Sequence, residues 1–561
     1  MLSGEAAVVL TGLLFVCLKA FVTTSGYKHF FETGIILMAS VFSYWMQDNF
    51  TSSKPSFFRS QDAGLWACLL LPSVANGMET EDRSLLWCLV MVTLVNYVYS
   101  EGKAISRTWQ VCVVLMSACL TLDTIYHKPL DAVAMVICCF IYMYMLLNVS
   151  SWFRKSFTFG EASIVLQLHI CQIYRGLRNI QTSDPLEKMA VVVYMGLHIA
   201  ILCLYLLSRK PCGTVLLWVV MAMIGLAYLI VAGVFYLKVA DLYRLLDNVI
   251  ATNVSAVLLC WWFLWLITSV MLVCYHGNKG SNFICRKLSN QSTAATEEKS
   301  VYENVEAEDI SGHTCSHTDP DEKYKQVNPG VTGINTTNKS YTKTKSKKVK
   351  VEESGSGDTT SVRKLFHVAM ICVYIPGLLL SPSLLYLASI VIAAVLIITE
   401  VIRVLKLPPF GPILDQYLWV FLDDQDTGDL ILTPIYLLIG CSLPLWWNYK
   451  LQRPPCSLSM YAGLISVGVG DGVASVIGRK YGKHKWPGRK KSIEGTCAAI
   501  ISQIIAVYLL SFANIPGGLV TMEIVVCVVL TSLLEALTHQ IDNLVVPIFA
   551  WVLFATVEPT Y

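Results

Sequence analysis

The stretch Asp471–Thr496 reads DGVASVIGRKYGKHKWPGRKKSIEGT, and its changes of character set the fold. An apolar segment gives way to seven Lys and Arg between Arg479 and Lys491, and then the chain turns apolar again. The same alternation runs through all 561 residues, which are 55% hydrophobic and only 14% charged. Soluble domains carry about a quarter charged residues, and the mean hydropathy here is +0.57. Apolar blocks of this length match the roughly 20 helical residues that cross a bilayer. A β-barrel would instead show short strands of alternating polarity. Nine such blocks precede residue 275 and seven follow residue 363. They predict an all-α, polytopic transmembrane helical bundle of roughly 14–17 membrane segments.

Between the two groups lies a polar stretch, residues 276–362, rich in Ser, Thr, Asn, Lys and Glu. It has too little apolar surface for a core and is expected to be disordered. The organisation predicted is an N-terminal multi-span region (1–275), this linker (276–362), and a C-terminal membrane domain (363–561). The C-terminal blocks are interrupted around Pro376, Pro408, Pro409, Pro434 and Pro547. Irregular backbone at membrane depth requires a protein or water lining, so the C-terminal part is expected to be the working half. The mixed segment near 160–182 is expected at an interface or along a cavity.

Four blocks separate the linker from the basic loop, which places both on one side. The basic excess makes that side cytoplasmic and leaves the sequons at Asn335 and Asn338 unused. The N-terminal segment lacks a basic leader region and reads as a retained first membrane helix. The net charge of +3 says nothing about partners, because charge sits in loops of opposing character; no nucleic-acid partner is expected and no obligate protein partner is implied. The 19 cysteines contain no C-x-x-C pair and lie mostly in apolar blocks, as small hydrophobes do. His313, Cys315 and His317 have metal-capable spacing but stand in the polar linker.

On a helix, Asp471, Ser475, Gly478 and Gly482 fall on one face, flanked by Ala474. A stripe of small residues admits either another backbone or a ligand. An Asp in an apolar helix is costly unless paired, hydrated or liganded. After the turn Lys485–Gly488, Lys490 and Lys491 abut a new helix that Ser492 can cap. Lysines beside the dipole and free N–H groups of a helix start form a phosphate site. Glu494 is either a dipole-favoured first-turn residue or a metal ligand. The P-loop pattern is absent, because Gly478 and Gly482 are too close and His484 follows Lys483.

A second constellation, Glu535, Thr538, His539 and Asp542, shares a helix face at spacings of three and four, and Asn543 and Pro547 follow it. It suggests either divalent-cation binding or proton transfer, or else a polar helix end. The acidic loop with Asp423, Asp424, Asp426 and Asp429 fails as an EF-hand and reads as a solvated turn. Arg363, Lys364 and His367 open one membrane block, while Glu400 and Arg403 close the next.

The pattern Asp471-x-x-Ala474-x-x-x-Gly478-x-x-x-Gly482, followed by Lys490-Lys491-Ser492-x-Glu494-Gly495, resembles the CTP-binding segment of the dolichol kinase and polyprenol kinase family. Arg363-Lys364-Leu-Phe-His367, Glu400-x-x-Arg403 and the EALTHQIDNLVVP stretch are similar to that family as well. The resemblance covers about residues 361–557, with Phe157-Thr-Phe-Gly160-Glu161 as a local echo in the N-terminal half.

This resemblance implies an endoplasmic reticulum enzyme that transfers phosphate from CTP to the terminal hydroxyl of dolichol, with a divalent cation (Mg²⁺ or Ca²⁺). Its product is the lipid carrier of protein glycosylation. The implied CTP loop is 471–496, with Ala474, Gly478, Arg479, Lys480, Gly482, Lys483, Lys485, Gly488, Lys490, Lys491, Ser492, Glu494 and Gly495 as nucleotide contacts. Arg479, Lys480 and Lys483 exceed what the family pattern requires and can equally be topology charges. Asp471, Glu494, Glu535 and Asp542 are the expected metal ligands, and Asp471 or His539 the expected base. The same Asp-Ala-Gly-Gly pattern occurs in phosphatidate cytidylyltransferases. A cytidylyltransferase or a kinase for another lipid alcohol therefore stands as the enzyme alternative, and a transporter of an anionic solute as the non-enzyme one.

Overall fold

A computed structural model of the chain describes residues 4–23, 58, 64–77, 83–100, 129–178, 184–209, 213–250, 252–275, 356–418, 428–448, 457–513, 515 and 520–558. The His313/Cys315/His317 trio, both sequons, Asp423, Asp424 and Asp426 lie outside these residues, as does nearly all of the polar linker.

Among the described residues helices dominate and no strand forms. In the first part of the chain α1 is Gly4–Thr23, α2 Leu70–Gly77, α3 Arg83–Ser100, α4 Pro129–Trp152 and α5 Phe159–Arg178. They are followed by α6 (Pro185–Ser208), α7 (Thr214–Phe235), α8 (Val239–Leu245) and α9 (Asn253–Tyr275). After the linker come α10 (Ser356–Leu380), α11 (Pro382–Val404), α12 (Phe410–Leu418) and α13 (Thr433–Asn448). The last four are α14 (Gly472–Tyr481), α15 (Ile493–Ser511), α16 (Met522–Leu537) and α17 (Asp542–Val557). Seven described helical segments are long and apolar enough to cross a membrane, and five shorter apolar helices accompany them. The chain is a multi-pass membrane protein. Residues Met1–Gly277 and Thr360–Tyr561 form one compact unit.

The core of that unit is α17, whose residues from Asn543 to Ala555 are all buried. A helix apolar on every face has no side to give to solvent and belongs inside a bundle. Helices α1, α13 and α16 pack around it. Close approach is set by Gly440 of α13, where a Cβ would meet the Pro547 ring of α17 at 2.8 Å.

Two expectations change here. Pro376 and Pro547 interrupt nothing, for both sit inside continuous helices. A buried helix tolerates proline because its neighbours re-satisfy the freed carbonyls. Pro408 and Pro409 do lie in the break between α11 and α12, and further irregular backbone lies at Leu464–Asp471, which is π-helical, and at Thr538–Ile541, between α16 and α17. The mixed segment near 160–182 becomes α5, and its Glu161, Ser163 and Gln167 are fully buried. Its polar face turns inward, where Gln167 Nε2 donates to the Cys68 carbonyl at 3.1 Å.

Candidate active site

The basic loop is a tight hairpin between α14 and α15. Lys485 and Ser492 bridge across it, Trp486 N donates to the Lys491 carbonyl at 3.1 Å, and Ile493 N donates to the His484 carbonyl at 2.9 Å. Its tip turns at Gly488, where φ is +70°, a conformation glycine adopts without strain. Ser492 caps α15, its Oγ accepting from Gly495 N at 3.2 Å. Glu494 braces the hairpin: its carboxylate accepts from Lys483 N at 3.1 Å, from His484 N at 3.0 Å, and meets His484 Nδ1 at 2.7 Å. These contacts favour the first-turn reading of Glu494 over the metal-ligand one, and the residue lies outside the acidic cluster described below.

The small-residue stripe is a packing surface. A Cβ on Gly478 would reach Ser492 Oγ at 2.8 Å, and one on Gly495 would reach the Ala474 carbonyl at 2.8 Å. A Cβ on Gly482 would collide with the Gly478 carbonyl. The glycines thus press α14 against the first turn of α15. Arg479, Lys480, Lys483, Lys485 and Lys490 remain exposed around that contact.

Beneath the loop, three carboxylates converge. One oxygen each from Asp471, Glu535 and Asp542 lies within 4.8 Å of the others. Asp471 and Glu535 are buried and Asp542 is half-buried. Lys491 reaches into this group. Its ammonium pairs with the Glu535 carboxylate, donates to the Glu535 carbonyl at 2.7 Å, and lies 3.2 Å from Asp542 Oδ2. Burial works against that charge, but the carboxylates of Glu535, Asp542 and Asp471 outweigh it and hold the ammonium well above its ordinary pKa. When all are ionised, three carboxylates against one ammonium leave two negative charges, the complement of a divalent cation. Carboxylate oxygens are also the hard donors that Mg²⁺ and Ca²⁺ prefer.

His367 of α10 closes one side. Its Nε2 lies 3.3 Å from both Asp471 Oδ2 and Asn543 Oδ1. Both partners are acceptors, so Nε2 carries the proton.

The expected single helix face from Glu535 to Asp542 does not exist. Helix α16 ends at Leu537, Thr538 takes an extended conformation, and α17 starts at Asp542. Glu535 and Asp542 meet because the chain breaks between them. His539 is exposed on that break, and its Nδ1 lies 2.7 Å from an Arg489 guanidinium nitrogen. Since Arg only donates, Nδ1 is the acceptor and Nε2 bears the proton.

The break is clamped from several directions. Arg489 holds the carbonyls of Leu537 and Thr538, the latter at 3.3 Å. Glu5 of α1 accepts from Thr538 Oγ1 at 3.0 Å. Glu161 Oε1 accepts from Ile541 N at 2.8 Å, and its Oε2 from Thr158 N at 3.1 Å. Glu161 N in turn donates to Thr158 Oγ1 at 3.2 Å, a capping box that starts α5. Thr158 Oγ1 also donates to Gln540. Arg489, Glu5 and Gln540 were not among the sequence candidates. Arg489 is one of seven basic residues in its loop, and the others act over separations that no local pattern encodes.

Glu400 and Arg403 serve a different place. Arg403 clasps Glu400 with two nitrogens, at 2.7 and 2.9 Å, and donates to the Asp429 carbonyl at 2.6 Å. Glu400 also accepts from Ile431 N at 2.6 Å. Together they anchor the end of the acidic loop. Arg363 and Lys364 lie on α10, which brings His367 to the cluster.

The fold and site define a polytopic membrane protein with a partly buried three-carboxylate, one-lysine cluster under a basic hairpin. The family model for dolichol kinase matches residues 337–483, a segment that contains His367 and Asp471 and ends before Lys491. The human protein named dolichol kinase is 42% identical over 215 residues, 35% of this chain and 38% of that protein. The dolichol kinase of Saccharomyces cerevisiae is 34% identical over 201 residues, 35% of this chain and 37% of its own. The one from Schizosaccharomyces pombe is 33% identical over 197 residues, 35% and 39% of the two chains. The matched stretch therefore spans well under half the length of these relatives. No solved structure matches the chain. Over this stretch the C-terminal region is similar to dolichol kinases.

Proposed function

We propose that the chain is a CTP-dependent kinase that phosphorylates the terminal hydroxyl of dolichol. It would work at the cytoplasmic face of the endoplasmic reticulum membrane and supply the lipid carrier for protein glycosylation. One observation carries the reading: Asp471, Glu535, Asp542 and Lys491 converge at a helix break directly beneath a basic hairpin.

Phosphoryl transfer demands positioning and charge neutralisation more than covalent chemistry. Exposed Lys483, Lys485 and Lys490, with the start of α15, would hold the nucleotide phosphates at the water side. Asp471, Glu535 and Asp542 would hold a divalent cation, which would neutralise charge on the transferring group. Lys491, fixed between Glu535 and Asp542, keeps those carboxylates together and trims their repulsion. Asp471, 3.3 Å from His367 Nε2, is the residue best placed to take the hydroxyl proton. His539 is committed to Arg489 and exposed, which favours a positioning role for it.

CTP labelled in the γ-phosphate, given to purified protein with dolichol, tests the proposal. Label in the lipid is the expected result. Label released as pyrophosphate, with cytidylate in the lipid, would establish a cytidylyltransferase instead. Absence of any lipid product would refute an enzyme acting on dolichol.

A further inference from the structure

Between α9, α10, α11 and α13 lies a cavity of about 270 Å³. Packed protein interiors leave few voids larger than one water molecule, so a space of this size has room for a ligand. Its walls are almost wholly apolar, with Trp262, Met370, Ala388 and Leu437 among them, and His367 is on its lining. His367 is also the residue that touches Asp471. One side chain therefore belongs both to an apolar chamber and to the carboxylate cluster.

The outer wall is α9, and that helix is set against α10 in a specific way. Trp261 Nε1 donates to the Cys372 carbonyl at 2.8 Å and Trp262 Nε1 to the Val373 carbonyl at 3.1 Å. Two indole–carbonyl bonds fix the helix, while Val257, Phe263, Leu264 and Met271 project outward from it, exposed. In a membrane those faces meet acyl chains, so α9 has the bilayer on one side and the cavity on the other. The indole N–H of Trp265, which lines the cavity, is buried and has no hydrogen-bond partner among the described residues.

We infer that this cavity seats the hydroxyl-bearing end of a polyisoprenoid alcohol, with His367 at the point where the hydroxyl meets Asp471. The inference rests on the kinase reading and adds the location of the lipid. An uncharged, branched hydrocarbon fits apolar walls, and one polar end group fits the single imidazole. A soluble sugar or alcohol would leave its remaining hydroxyls unpaired there. It also gives the N-terminal part a task, since α9 supplies the wall through which the lipid arrives.

The test uses full-length protein in detergent and a polyprenol analogue carrying a photoreactive diazirine on its first isoprene unit. Crosslinks are expected on cavity residues of α9, α10, α11 or α13, and unlabelled dolichol should compete them away. Ala388→Trp, which fills the cavity, should abolish that crosslink and raise KM for dolichol at least about ten-fold, with KM for CTP unchanged. Crosslinks confined to other helices, or an unchanged dolichol KM in Ala388→Trp, would overturn the inference. The wild-type crosslink needs no variant to fold. Wild-type turnover reads the kinase proposal separately, so the two can fail independently.

Discussion

Replacing Glu161 tests whether the first part of the chain holds the candidate site in shape. Glu161 is fully buried, and each of its oxygens accepts from a different backbone N–H, those of Ile541 and Thr158. Glu161→Gln keeps one acceptor oxygen and turns an NH₂ group toward the other N–H. One buried donor is then left without a partner, which costs about 1–3 kcal/mol. Glu161→Ala strands both, and the cost rises to about 2–6 kcal/mol. The loss falls on the residue just before Asp542, so turnover should drop along with stability. Urea unfolding in detergent measures the first effect and γ-phosphate transfer the second. Hydrogen exchange at the Ile541 amide reports the tether directly, and its protection should fall in Glu161→Ala. If that amide stays fully protected and both variants unfold like the wild type, the tether carries no load and the reasoning is wrong.

Asp471→Asn should reduce turnover by about 10²–10³ and weaken Mn²⁺ binding seen by electron paramagnetic resonance; full activity with unaltered metal binding would exclude Asp471 from the cluster's work. Lys491→Met leaves three close carboxylates without their ammonium and should destabilise the protein by about 3–5 kcal/mol. Unfolding with and without millimolar Mg²⁺ checks this, since a divalent cation should restore part of the loss in that variant. Gly482→Ala puts a Cβ against the Gly478 carbonyl and Ser492 Oγ. Thermal unfolding should show a loss of about 1–3 kcal/mol, and exposed Lys485→Ala, as a control, almost none.

Much of the local structure is legible in the residues. Apolar blocks of bilayer length announce the helices, and Ser492 before Ile493 announces the start of α15. Asp471 in an apolar segment marks a group that must find partners. The end of α16 carries no such mark. LTHQID contains neither glycine nor proline, so its sequence reads as a helix continuing through Asp542. The chain opens there because Glu161 and Arg489 supply the backbone hydrogen bonds that helical neighbours would otherwise make, while Glu5 holds the Thr538 hydroxyl.

The stripe at Gly478 and Gly482 is equally ambiguous in sequence, since small residues admit a ligand and a helix alike. Only the position of Ser492 and Gly495 against it decides for the helix. Lys491 reads as a phosphate-binding neighbour of Lys490, yet it points into the carboxylates while Lys490 stays exposed. By itself, then, the sequence determined the membrane-helical class, the capped basic hairpin and the set of acids needing partners. All of these follow from hydrophobicity and spacing within a few turns. Which acids share a site, and what bends the chain to bring them together, depended on contacts spanning 380 and 533 residues. Pairings at that range form only when the bundle closes, and no local pattern carries them.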